Sequence, residues 1–275
     1  MTPGALDGVV DVDFSRVLAG PYATMMLGDF GADVIKIERP GAGDDTRAWD
    51  PPYDSEGVAT YFNAINRNKR SITLDLATAH GVERVRELVA TADIVVENFR
   101  PGTMERLGLG YEDLRQVRPD LIYCSITGFG RDGGAALPGY DLLVQAVGGL
   151  MSVTGATPGE PAKAGVALVD VLTGLHALAG MLAALHHRDR TGQGQRVDTN
   201  LLSALMSSMV NQASGYLGAG VIPGIMGNRH PSITPYETFE TAARPIALAV
   251  GNDTQLAALA APPGIPESGG DPRFA

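Results

Sequence analysis

The chain has 275 residues, 44% of them hydrophobic and 19% charged, with a formal net charge of −10. That length can bury a large core in one or two domains, and the acidic balance argues against a nucleic-acid binder, whose phosphate partners need a basic surface. The lone cysteine, Cys124, excludes an internal disulfide.

No targeting segment is read at the N-terminus, where Asp7, Asp11 and Asp13 occupy the place of a signal peptide's basic start and apolar run. Residues 9–14 read as a strand. Pro21 stands where a helix should start, and Gly31 closes that helix. Residues 33–38 form the next strand, and the alternation repeats: strand 71–76, helix 79–91, strand 93–97, helix near 111–117, strand 121–126. Cys124 falls in the last of these and reads as a core residue. Strands separated by helices predict an α/β fold with a parallel sheet and helices outside it, with ligands at the carboxyl ends of the strands. Segments 40–60 and 128–139 are loop-rich. The second holds Gly128, Gly130, Gly133, Gly134 and Gly139.

Residues 165–170 read as a short buried strand ending at Asp170, with a helix starting there. Asp170 then occupies an N-cap position, where helix amides would hold it ionised. Such a carboxylate is either a plain cap or a nucleophile. The longest apolar stretches, 171–185 and 201–210, read as too short or too polar to span a bilayer. A soluble, cytoplasmic protein without membrane contact is expected. A long helix is expected from Asn200 to about Tyr216. Strands 234–240 and 244–251 then pair antiparallel and open a smaller domain. The expected division is 1–225, a large domain, and 226–275, part of a small α+β domain.

Several residues carry candidate chemistry. The 15–21 loop (Ser-Arg-Val-Leu-Ala-Gly-Pro) joins a strand to a helix start and can face an anion, or can be a plain turn. Arg39, Arg67, Lys69, Arg70, Arg100 and Arg106 cluster near strand ends in an acidic protein, which favours a polyphosphate ligand. Asn98 ends a strand and can bond a ligand amide or ribose, or serve its own turn. His176 lies six residues after Asp170, off its helix face, whereas His230 sits in a loop and is a candidate for substrate contact. No His, Cys or carboxylate spacing suggests a metal, and none is expected.

Linked segments add a further reading. Residues 16–21 (Arg-Val-Leu-Ala-Gly-Pro), 27–38 (Leu-Gly-Asp-Phe-Gly-Ala-Asp-Val-Ile-Lys-Ile-Glu), 66–71 (Asn-Arg-Asn-Lys-Arg-Ser), 96–102 (Val-Glu-Asn-Phe-Arg-Pro-Gly), 139–141 (Gly-Tyr-Asp), Asp170 with Thr173 and Gly174, and 191–198 (Thr-Gly-Gln-Gly-Gln-Arg-Val-Asp) make a linked series. With them the chain resembles the class III CoA-transferases, the family of formyl-CoA transferase, carnitine CoA-transferase and alpha-methylacyl-CoA racemase. The resemblance implies a Rossmann-like large domain that binds coenzyme A. It also implies acyl-CoA and a small carboxylic acid as substrates, with Asp170 as the nucleophile, which passes through an acyl anhydride and a CoA thioester. It places CoA contacts on Leu18, Arg39, Asn98, Phe99 and Arg106, and substrate contacts on Tyr140 and His230.

Leu18 replaces the glutamine of formyl-CoA transferases, and residues 227–231 stand near the place of their glycine-rich flap, which points toward succinyl or other dicarboxylic acyl groups. Tyr140 stands where the racemases carry histidine, which favours transfer over racemisation, the alternative activity. Family members continue past the position of Ala275 and form interlocked dimers. The expectation is therefore a homodimer if the full fold is present, with a truncated, non-catalytic CoA-binding paralogue as the other alternative.

Overall fold

The structure is a computed structural model that describes residues 4–260. Strands β1 (Val10–Asp13), β2 (Asp33–Glu38), β3 (Lys69–Thr73), β4 (Ile94–Glu97), β5 (Ile122–Thr127) and β6 (Arg196–Asn200) form one sheet. All pairs are parallel, in the order β3-β2-β1-β4-β5-β6. The chain builds outward from β1 to β3 and then returns to place β4 on the other side of β1. Loops leaving β1 and β4 therefore diverge, and a crevice opens between them at the carboxyl edge.

The helices are α1 (Ala19–Asp29), α2 (Thr60–Asn66), α3 (Ala79–Val89), α4 (Thr103–Arg106), α5 (Tyr111–Leu114), α6 (Asp141–Val147), α7 (Leu150–Val153), α8 (Leu168–Thr191), α9 (Leu201–Ser208) and α10 (Val210–Ala219). Strand alternation divides the core. On one sheet face Val12, Val95 and Tyr123 pack with Val85 and Val89 of α3, Met104 of α4 and Leu114 of α5. The other face is covered by α1 and α8, which pack on each other. Their approach is close because Gly174 has no side chain: a Cβ there would stand 2.7 Å from the Ala19 carbonyl oxygen. Pro21 lies in the first turn of α1, where its missing N–H is not needed, and Gly31 follows the helix end at φ +105°.

Three expectations change. Residues 165–167 are irregular and Leu168 and Val169 are already helical, so 165–170 is no strand; a short apolar run cannot distinguish the two by periodicity. The apolar helix is also longer than 171–185. By length and composition alone, α8 could cross a membrane. Here Val169, Thr173, Ala177, Met181 and Ala184 are buried, and the helix packs on α1, α9, β5 and β6. Finally, the expected single helix from Asn200 breaks into α9 and α10 at Val210, whose φ is +23°.

The division of the chain also differs from 1–225 and 226–275. One compact unit runs to Gly148 and resumes over Gly165–Ala213; the other combines Gly149–Ala164 with the chain from Ser214 onward. The second unit begins earlier because segment 149–164 folds with it: a Cβ on Gly155 would meet Ile225 at 3.2 Å, and one on Gly227 would meet the Ala156 carbonyl at 2.9 Å. The second unit contains the antiparallel pair β7 (Tyr236–Phe239) and β8 (Ile246–Ala249), as expected, and α11 (Asp253–Ala260). The remainder of the expected small domain, 261–275, lies outside the described residues.

Candidate active site

A cleft of about 220 Å³ lies at the carboxyl edge of the first unit's sheet, between the loops that follow β1 and β4. Leu18, Asn98, Phe99, Thr127, Tyr140 and Asp170 are among the residues that line it. This is the position that the sheet's strand order predicts for a ligand.

The β1–α1 loop forms one wall and is held from below by buried charge. Asp13, at the end of β1, accepts from the Ser15 amide at 2.8 Å and hydroxyl at 2.5 Å, and from the Thr24 hydroxyl at 2.8 Å. Lys69 Nζ stands 3.1 Å from the same carboxylate. Burial alone would raise Asp13, but the Lys69 and Lys36 charges and the two hydroxyls hold it below the usual carboxylate range. Lys36 in turn donates to the Ser15 carbonyl at 2.7 Å and pairs with Asp44 at 2.9 Å. Removing one partner of such a buried set leaves an uncompensated charge, so the loop is firmly anchored. Above this network Val17 holds φ at +70°, a left-handed conformation unfavourable for a β-branched residue. Such strain persists where surrounding contacts enforce it, typically at ligand sites.

The opposite wall follows β4. The Asn98 side chain accepts from the Arg16 amide at 2.8 Å and donates to the Arg16 carbonyl at 2.6 Å. Its amide group thus fastens the two walls across the switch point, a bond to the neighbouring loop and not to its own turn. Phe99 stacks under Arg16, with the guanidinium carbon 4.7 Å from the ring centroid. Arg100 lines the cleft with an exposed guanidinium that, among the described residues, has no hydrogen-bond or ion-pair partner.

Other basic residues are already engaged. Arg39 pairs with Asp45 and donates to the Gly43 carbonyl at 3.1 Å. Arg67 pairs with Asp29, Arg70 with Asp33, and Lys69 with Asp13. Arg106 bonds Thr103 at 3.2 Å on α4. Of the expected CoA contacts, Leu18, Asn98 and Phe99 line the cleft, whereas Arg39 and Arg106 lie outside its lining. His230 belongs to the second unit. There its ring lies tilted against Tyr236, with centroids 5.1 Å apart, and its Nδ1 accepts from the Ser232 amide at 3.0 Å.

Asp170 is in the first turn of α8 but is not its cap. The N-cap is Ala167, which has no capping side chain, so Asp170 is the third helical residue. The amides of Val169 and Asp170 donate instead to Asp141 Oδ2, at 2.8 and 3.2 Å. Among the described residues the Asp170 carboxylate itself accepts no hydrogen bond. The expectation that helix amides hold Asp170 ionised is therefore overturned. Burial, and then the Asp141 charge, push it up to about 7. Tyr61 of α2 stands nearby, its phenol raised by burial and by the Asp170 and Asp141 charges. Tyr140 precedes α6, is 60% exposed and lines the same cleft. Two backbone strands cross beneath it: a Cβ on Gly128 would lie 2.4 Å from the Gly139 Cα, so the glycine-rich loop must start and end on residues without side chains.

Over residues 6–275 the chain matches the sequence pattern of CoA-transferase family III. It belongs to that family. It is 49% identical, over 98% of its length and 69% of the relative's, to a succinate–glutarate CoA-transferase of Agrobacterium fabrum. It is 44% identical, over 95% of its length, to the human succinyl-CoA:glutarate CoA-transferase, of which it spans 60%, less than two thirds. Among solved structures, a CAIB/BAIF family protein from Brucella suis superposes with a TM-score of 0.86 at 47% identity, over 99% of this chain and 73% of that one.

Within this family III chain, sequence reasoning missed three members of the cleft neighbourhood. Asp141 appeared only as part of a motif, because its bonds reach residues 28 and 29 positions away. Tyr61 lies in a segment read as following a loop. Arg16 was visible in the 15–21 loop, but its stacking on Phe99 requires β1 and β4 to be neighbours.

Proposed function

We propose that this family III chain carries the CoA-transferase activity of its relatives, moving CoA from an acyl-CoA to a free carboxylic acid through Asp170. The observation that carries this reading is a carboxylate in a cleft at the switch point that accepts no hydrogen bond among the described residues and so is able to present an oxygen lone pair. An Asp170 oxygen attacks the thioester carbon, and a tetrahedral oxyanion forms and collapses. The carbon–sulfur bond breaks, CoA leaves as thiolate, and an acyl–aspartyl anhydride remains. The thiolate attacks the aspartyl carbonyl, releases the donor acid and leaves an aspartyl-CoA thioester. The acceptor carboxylate attacks that thioester, again expelling thiolate, which takes the new acyl group and frees Asp170. A carboxylate is a weak nucleophile, so positioning in the cleft must supply much of the rate, and each oxyanion needs preorganised donors. The backbone of the 128–139 loop, whose ends line the cleft at Gly128 and Gly139, is the proposed source of these donors.

The relatives named above act on succinate and glutarate, and others are named for mesaconate and oxalate. Short dicarboxylic acids are therefore the proposed acyl groups. Leu18, Asn98, Phe99, Arg16 and Arg100 bound the proposed CoA channel, with Arg39 and Arg106 further along it. Tyr140 faces the acyl group, and His230 is a further proposed substrate contact. Two copies of the chain are proposed to associate. Leu142, Leu143 and Val147 on α6 are exposed apolar residues for such an interface.

Transfer from succinyl-CoA to glutarate, followed by chromatography of the CoA esters, tests the reading. Wild type should exchange, and Asp170→Asn should lose activity about ten-thousand-fold or more, as when a covalent route is removed. Near-normal exchange by Asp170→Asn contradicts it.

A further inference from the structure

We propose that Asp141 is the positioning residue of the Asp170 site: by accepting from the Val169 and Asp170 amides, it caps α8 from another helix and leaves the Asp170 side chain free to face the cleft. This rests on Asp170 being the nucleophile. The first turn of a helix has donors without partners, and a carboxylate at the third position commonly turns back to satisfy one of them. Ala167 offers no side chain for that task. Without an external acceptor, Asp170 would be the nearest carboxylate to its own helix start and would be drawn onto the backbone as a cap. Asp141 Oδ2 takes both amides at 2.8 and 3.2 Å. Its other oxygen is fixed by the Gln145 amide at 2.5 Å, one turn further along α6. Asp141 is itself the first residue of α6, so the starts of two helices meet on one carboxylate.

The arrangement has a second consequence. The Asp141 charge beside Asp170 opposes its ionisation and raises the basicity of its lone pairs, which makes the ionised form a better nucleophile. The groups facing Asp170 from packed elements are Asp141 of α6, Tyr61 of α2 and Tyr140 before α6. Tyr22 of α1 abuts α8 at Gly174, and Arg16, Arg100 and Asp45 line the same cleft. Of these, Asp141 is the acid whose charge acts on Asp170.

Two variants separate charge from capping. Asp141→Asn keeps an oxygen that can accept both amides but removes the charge. The acid limb of kcat/KM should move down by about one pH unit, raising the ratio of activity at pH 6 to that at pH 8.5 about fivefold. Asp141→Ala removes the acceptor as well. It should lower kcat at least tenfold with the KM for acyl-CoA nearly unchanged, and should speed hydrogen exchange at the Val169 and Asp170 amides; Asn should rescue both effects. An Asp141→Asn profile that superimposes on wild type, or wild-type kcat in Asp141→Ala, overturns the proposal. A control identifies failure at the level below: hydroxylamine trapping of acyl-CoA-treated wild type. An adduct on Asp170 with unshifted Asp141→Asn kinetics removes only the role of Asp141, whereas active wild type with no Asp170 adduct removes the nucleophile and the role together.

Discussion

Under the proposed function, Asp170 is the residue at which stability and reactivity pull apart. Its folded-state pKa is pushed up to about 7, from an ordinary value near 4. Below both values the carboxyl is protonated in either state and burial costs little. As pH rises from about 4 to 7 the unfolded chain gives up its proton first, so this residue progressively destabilises the fold. Asp170→Asn should therefore raise the melting temperature at pH 8 more than at pH 4.5, with a gain on the order of 1 kcal/mol or more; calorimetry at the two pH values reads it, and equal shifts would contradict the account. Catalysis should run the other way: kcat/KM should increase with pH, with a midpoint near 7, because the proposed route uses ionised Asp170 as the attacking group. Glu97 is also pushed to about 7, by burial, but it accepts from Ser125 and the Phe99 amide on the α4 side of β4. The acid limb should persist in Glu97→Gln if Asp170 is its source, and pH-rate profiles of that variant check this.

At the scale of elements, α8 is set in place by contact with α1. Gly174→Ala would put a methyl group 2.7 Å from the Ala19 carbonyl and 3.1 Å from the Tyr22 ring. The helices must separate, at a cost of about 1–3 kcal/mol, and the start of α8 moves with them. Reduced urea stability together with lowered kcat is the expected result; unchanged values for both would show that the helix pair tolerates the shift. This packing also explains what was legible in the sequence. Strands β4 and β5 were readable because central parallel strands are near-continuous apolar runs: Ile94, Val95 and Val96, for example, are all fully buried. Strands β1 and β2 were readable although buried charges, Asp11 and Asp13 in one and Lys36 and Glu38 in the other, interrupt their apolar residues. Strand β6 was not read, because Arg196, Asp198 and Asn200 make a polar edge that needs no such run. Asp170 was legible as a candidate carboxylate and does line the cleft, yet its local setting was misread. Whether Leu168 and Val169 are strand or helix depends on α1 and α6, which sequence periodicity does not contain. The same limit hid Asp141.

For the whole molecule, the two units differ in how they hold together. The first has a six-stranded sheet covered on both faces, whereas the second rests on a two-stranded pair whose Tyr236, Phe239 and Ile246 are exposed. Isolated two-stranded sheets are marginal in water, so β7 and β8 amides should exchange with deuterium far faster than those of β1, β4 and β5; comparable protection, measured by mass spectrometry of peptides, would contradict that ranking. The proposed function needs the molecule to gather its chemistry on one carboxylate at the switch point. The most direct test is peptide mass spectrometry of wild-type protein treated with succinyl-CoA and trapped with hydroxylamine or borohydride. The account predicts modification of Asp170 and of no other carboxylate; active protein that transfers CoA while Asp170 stays unmodified would contradict it.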